Sequence, residues 1–213
     1  MSDSHSRPKP WERGAKSRDF AKAPRALRRV LILSEDEKSS TLYLRKFGLN
    51  PREVQIDGTG MNTDSLVKLA IKRKQAAIRE KNPYQQIWVV FDRDDFPMWN
   101  VGRAHDLARA HPDIRLCPSN ECFEVWYLLH FHFFDTPEDR HALCGKISKQ
   151  IGVPYEKSRD DIYRHLKDHQ QTALRNARKL EARNWENYRD HYLNPSTHVH
   201  HLVEFLLKFA DNG

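Results

Sequence analysis

No stretch of this 213-residue chain approaches the roughly 20 consecutive apolar residues that a membrane-spanning helix needs. Its start, Met1-Ser2-Asp3-Ser4-His5, lacks the apolar centre of a signal peptide. The expectation is a soluble cytoplasmic protein. Cysteine is scarce: Cys117, Cys122 and Cys144 are an odd set without CxxC spacing, which argues against both a disulfide scaffold and a structural zinc site. They read as reduced, ordinary thiols. Internal repeats and low-complexity segments are missing too, and a mass of 25.2 kDa leaves room for one α/β domain, with or without a helical extension, rather than two large cores.

Positive charge is present in excess. Lys and Arg total 36 against 29 Asp and Glu, a net +7 with a pI near 9.3, which favours polyanionic partners without identifying one. Part of that excess is local. Residues 1–29 carry Lys9, Arg13, Lys16, Arg18, Lys22, Arg25 and Arg28 among Pro8, Pro10 and Pro24, with almost no apolar periodicity, so they read as a flexible basic arm. Lys9, Arg13, Lys16, Arg18, Arg25 and Arg28 are candidate contacts to a nucleic-acid backbone, DNA or RNA, with an affinity that falls as salt rises. A solvated tail with no specific partner explains the same composition equally well.

Two short apolar runs each lead into carboxylates. Val30-Leu31-Ile32-Leu33-Ser34 is followed by Glu35, and Ile87-Trp88-Val89-Val90-Phe91 by Asp92-Arg93-Asp94-Asp95. If the runs are neighbouring buried strands, Glu35, Asp92 and Asp94 surround one point at their C-terminal ends, where open α/β sheets place ligands. Acids gathered there repel one another unless a divalent cation neutralises them, which predicts Mg2+ or Mn2+ and phosphate chemistry. Two residues apart on a turn, Asp92 and Asp94 share the ion. Glu35 either completes its shell or accepts a proton from the attacking water. Glu37 and Asp95 are candidate supporting or second-ion ligands, and Lys38 a charge that stabilises a transition-state phosphate. A solvated turn and helix cap is the bland alternative for 92–95.

Along the chain, strands alternate with helices. A helix near Ser39 to Phe47 ends at Gly48; a β-prone run, Glu53 to Ile56, precedes the loop Asp57-Gly58-Thr59-Gly60; Thr63 caps a helix through about Glu80, with Leu66, Val67, Ala70, Ile71, Ala77 and Ile78 as its apolar face. A helix over about Val101 to Ala110 leads to a weaker strand, Ile114 to Cys117, and to an apolar segment from Cys122 to Phe134. Beyond Pro137 the signals are mainly helical, at 141–151, 160–166, 172–183 and, after the turn Asn194-Pro195-Ser196-Thr197, at 198–209. This order implies a mostly parallel sheet flanked by helices.

These residues also carry a resemblance. Ser34-Glu35-Asp36-Glu37-Lys38-Ser39 resembles the glutamate-bearing loop after the first strand of Toprim-type domains. Phe91-Asp92-Arg93-Asp94-Asp95-Phe96, the segment Ser119 to Phe131, and Asn194-Pro195-Ser196-Thr197 are similar to the successive signatures of RloB-like proteins, over about Val30 to Leu207. The resemblance implies a Toprim-like α/β core over 30–136 and a helical C-terminal extension, 137–213, packed on it. It further implies a Mg2+-dependent nuclease effector of prokaryotic anti-phage defence with an AAA-type ATPase partner. Glu35 matches the Toprim glutamate, and Asp92 and Asp94 its DxD pair. Two features depart: the glycine and the last acid of the family's Glu-Gly-Glu-Lys-Thr-Glu are here Asp36 and Ser40, and the proline expected after Ser-Asn is Glu121. A binding-only subunit is the competing reading, and the sequence is silent on monomer against homo-oligomer.

Glu124 lies among Cys122, Phe123, Val125 and Trp126, so it must be paired, with Arg93 or Arg103 as candidates, or face the site. Histidines attract a zinc reading that the sequence does not support. His130 and His132 point to different helix faces, and His198, His200 and His201 have no Cys partner at ligand spacing. Trp88, Trp126 and Tyr127 read as core.

Overall fold

The run Val30–Ser34 forms strand β1 with all five residues buried, because both of its faces meet apolar neighbours. Leu31 and Leu33 pack on one side with Ile87, Val89 and Phe91 of β3 (Gln86–Asp92), while Val30 and Ile32 pack on the other with Trp88 and Val90. A strand covered on both faces reads as an unbroken apolar run, and that is why both strands were visible in the sequence. A computed structural model of the chain describes residues 28–93, 98–188 and 193–211.

Three further strands complete the sheet: β2 (Val54–Gly58), β4 (Ile114–Asn120) and β5 (Ser196–Thr197). Their order is β2-β1-β3-β4-β5; the first four run parallel and β5 antiparallel to β4, with Ser119 opposite Thr197. From β1 the chain winds to β2 on one side and then to β3 and β4 on the other. The crevice of such a sheet opens where the winding reverses, at the C-terminal ends of β1 and β3.

The helices are α1 (Ser39–Arg45), α2 (Thr63–Arg79), α3 (Met98–Arg109), α4 (Glu124–Leu129), α5 (Arg140–Ile151), α6 (Ile162–Leu166), α7 (Gln170–Tyr188) and α8 (Val199–Asp211). Leu66, Val67 and Ala70 of α2 and Ala104 of α3 cover one face. The other face is covered by α1 and by α4 to α8, in one cluster that includes Trp126, Tyr127, Leu143, Leu180 and Leu202. The fold is therefore α/β, a mostly parallel sheet flanked by helices with a C-terminal helix.

Several expectations are corrected. Asn62, not Thr63, caps α2, its side chain accepting from Ser65 N at 3.0 Å, and Thr63 is buried. Ile78, expected inward, is 54% exposed. Asp57 and Gly58 belong to β2 rather than to a loop, and Ser196-Thr197, expected as turn and cap, forms the edge strand β5. Gly58 brings β2 close to the segment after β1: a Cβ there would lie 2.6 Å from Glu37 Cα and 2.8 Å from Thr41 Oγ1. Trp88, Trp126, Tyr127 and His130 are buried, as expected of core residues, and all three cysteines are free thiols. Among the described residues, no helix is long and apolar enough to cross a membrane.

Candidate functional site

Glu35 and Asp92 leave adjacent strands at the same end of the sheet. Ser34 pairs with Val90 in the β1–β3 register, Glu35 N donates to Val90 O at 2.9 Å, and Asp92 closes β3 two residues further on. The backbone carbonyl of Glu35 accepts from Gly60 N at 2.9 Å, so the turn after β2 braces it. Asp92 Oδ1 accepts from Phe123 N at 2.9 Å, which ties the end of β3 to the start of α4. The partner residue Asp94, and Asp95 with it, lie outside the described residues, as do Lys9, Arg13, Lys16, Arg18 and Arg25 of the arm.

The segment after Glu35 shows what Asp36 and Ser40, the first of the departures from the family pattern, do here. Asp36 holds the turn that leads into α1: Oδ1 accepts from Lys38 N at 2.8 Å, Oδ2 accepts from Ser39 Oγ and from Ser40 N at 3.4 Å, and its carbonyl accepts from Thr41 Oγ1 at 2.6 Å. It needs no left-handed backbone, since Lys81 is the one positive-φ residue other than glycine among those described. Ser40 is buried, and its hydroxyl pairs with Ser34 Oγ at 2.6 Å. Glu37 and Lys38 are exposed at the rim.

Glu124 is fully buried as the first residue of α4. Its Oε1 accepts from Tyr155 Oη at 2.7 Å, and Arg103, one of the expected partners, lies 3.9 Å from Asp64 Oδ2. Oε2 of Glu124 is buried with no hydrogen-bond partner. The sequence reading missed Lys157, on the loop after α5, whose Nζ lies 3.9 Å from Asp92 Oδ2. Burial pulls the Lys157 ammonium down, but Glu124, Asp92 and Asp36 outweigh it and leave its pKa above the ordinary value. Burial first, then Glu124 and Asp92, push the Cys122 thiol up, so it stays protonated and inert. Tyr127, whose hydroxyl donates to Ser39 O at 2.8 Å, is likewise pushed up by burial, then by Glu124, Tyr43, Asp36 and Asp92.

The partly buried Lys157 thus stands beside Asp92 and feels the charge of Glu124 and Asp36, with Glu35 on the strand next to that of Asp92. Oxygen donors alone, one of them a buried carboxylate oxygen without a partner, fit a hard divalent ion. Among the described residues, no three of these acids bring donor atoms within 4.8 Å of one another. Arg28, a candidate contact to nucleic acid, packs on α8: its guanidinium lies 4.2 Å from the Phe209 ring centroid and donates to Phe209 O at 3.1 Å.

Compared with curated proteins, the chain matches none. The model of the RloB-like protein family matches residues 30–206, from the first strand into the last helix, and so takes in every element of the pocket. The chain belongs to the RloB-like protein family.

Proposed function

We propose that the protein is a metal-dependent nuclease of Toprim type that hydrolyses phosphodiester bonds in DNA or RNA, as an effector of prokaryotic anti-phage defence working with an AAA-type ATPase. The observation that supports this reading is the departure of Glu35 and Asp92 from adjacent parallel strands at the point where the winding of the sheet reverses. Glu35, Asp92 and Asp94 would hold Mg2+ or Mn2+. When bound, such an ion lowers the pKa of a water and polarises phosphorus.

The chain's own groups do the rest. The water oxygen bonds to phosphorus as the P–O ester bond breaks; Glu35 takes the water's proton, and the leaving oxygen takes one from solvent. Lys38 at the rim and Lys157 beside Asp92 offset the charge that builds on the phosphoryl oxygens. Asp36, by bracing the turn after Glu35, and Phe123 N–H, by donating to Asp92, position the acids.

One observation favours a second reading, a non-catalytic subunit that binds nucleic acid or the ATPase: Lys157 already neutralises part of the acidic charge. Purified protein incubated with labelled DNAs and RNAs in Mg2+, Mn2+ or EDTA separates the two. Cleavage that EDTA stops and that Asp92→Asn and Glu35→Gln abolish is expected. Cleavage unchanged in both variants removes the enzymatic reading, and silence on every substrate favours the binding one.

A further inference from the structure

The seam between α7 and α8 carries a second constellation, on elements other than those that present Glu35 and Asp92. Arg178 and Glu204 pin the seam with an ion pair of 2.7 Å. One turn along, Glu181 Oε2 lies 3.0 Å from His200 Nε2 and Glu181 Oε1 lies 3.0 Å from His201 Nε2. One donor atom from each of these side chains lies within 4.8 Å of the others. His198 Nε2 stands 3.8 Å from Glu181 Oε1.

From this geometry we propose that Glu181, His200 and His201 bind one divalent transition-metal ion of the zinc class, with a fourth position left to solvent. The sequence offers these histidines no cysteine companion at ligand spacing. The companion is not a cysteine nearby in sequence but a glutamate 19 residues upstream on the facing helix.

Tetrahedral bonds of about 2.0–2.2 Å to nitrogen and oxygen place neighbouring donors about 3.3 Å apart. The observed 3.0 Å separations need only a small expansion. The rings of His200 and His201 stack at 3.9 Å between centroids, tilted by 36°. Two imidazolium cations would repel at that distance, whereas two neutral imidazoles can share one ion. Nitrogen and oxygen donors without thiolate favour Zn2+, Cu2+ or Ni2+ over Mg2+. His200 is fully buried and anchors the set, while His201 is half exposed and lines, with His198, Arg115 and Lys208, a groove of about 680 Å³ between α8, β4 and α3. That groove supplies the path by which an ion enters. Ligands from two helices also make the ion a clamp on the seam, so binding adds to stability by mass action.

The test uses the full-length protein, stripped with EDTA and titrated with Zn2+ in calorimetry, alongside thermal melts and Co2+ absorption spectra. With excess Mg2+ present to occupy the carboxylate pocket, one equivalent of Zn2+ should bind, raise Tm, and in the Co2+ form give visible bands of low coordination number. Glu181→Gln and His201→Gln should weaken binding by about 100-fold or more, since loss of a merely supporting partner costs about 10- to 100-fold. Asp92→Asn should leave it unchanged. His201 is half exposed, so its variant decides the matter even if Glu181→Gln unfolds. Binding that survives His201→Gln, or that disappears in Asp92→Asn, overturns the site, as does the lack of any Zn2+ uptake. None of these results bears on cleavage by the carboxylate pocket.

Discussion

The carboxylate pocket at the ends of β1 and β3 and the imidazole cluster on the α7–α8 seam solve the same electrostatic problem in opposite ways. In the first, oxygen acids outnumber cations, and the chain supplies Lys157 to temper them. In the second, a single carboxylate serves several imidazoles: hydrogen bonds from His200 and His201 hold Glu181 well below the usual carboxylate range, and Glu181 in turn raises His201. A third place shows what happens with no acid at all. His130 is fully buried among aromatic rings, its Nδ1 bonded to Trp126 O at 2.9 Å, and burial pushes its pKa down to about 4. Burial alone drives a histidine neutral, whereas a facing carboxylate keeps it able to take charge.

Breaking the pocket should have the largest effect. Asp92→Asn is expected to lower metal-dependent cleavage by about 100- to 1000-fold, the usual cost of losing a group that stabilises charge at the reacting centre. Steady-state rates on the substrate that the wild type cuts check it, and a rate within tenfold of wild type would detach Asp92 from the chemistry.

Acid should next expose the contrast between the histidines. The folded pKa of His130 is depressed, so the stability associated with its neutral form is complete above the unfolded value near 6.5 and is lost as pH falls toward about 4. The loss is on the order of 3 kcal/mol over that window. Urea midpoints at a series of pH values should show His130→Asn, which keeps a donor toward Trp126 O, falling less steeply than the wild type. Parallel slopes would refute the assignment.

Tyr155→Phe removes the hydroxyl on which buried Glu124 relies. An unsatisfied buried acceptor costs about 1–3 kcal/mol, more when charged, and urea unfolding at pH 7 should register it. The smallest effect is expected on the seam without metal. Arg178→Ala breaks a partly exposed ion pair with Glu204 and should cost below about 1 kcal/mol. A markedly larger loss would mean that the seam depends on that pair rather than on Glu181 and its histidines.

The two regions also differ in how far the sequence disclosed them. β1 and β3 were legible because strands covered on both faces write themselves as apolar runs, and each run ends in an acid. β5 was not, since two residues, Ser196 and Thr197, leave no period to read. Lys157 lies in a loop, and its link to Asp92 is a matter of tertiary folding alone. The seam was concealed for a similar reason, with Glu181 on a different helix from its histidines. One clue was available: His200 stands three residues before Val203, on the apolar stripe of α8, and an imidazole on an inward stripe requires a polar partner. For Asn62 against Thr63 at the start of α2, both residue types cap helices well, and the chain alone did not rank them.

Gly58 belongs to neither region, yet the hydrogen atom it carries in place of a side chain leaves the volume that the backbone of Glu37 fills. A methyl group there would act as a wedge, prising the turn that begins at Glu35 off its neighbouring strand. The aim of an acid at the crevice is thus governed partly by a void one strand away, and Gly58→Ala would misdirect that acid without altering a single charge.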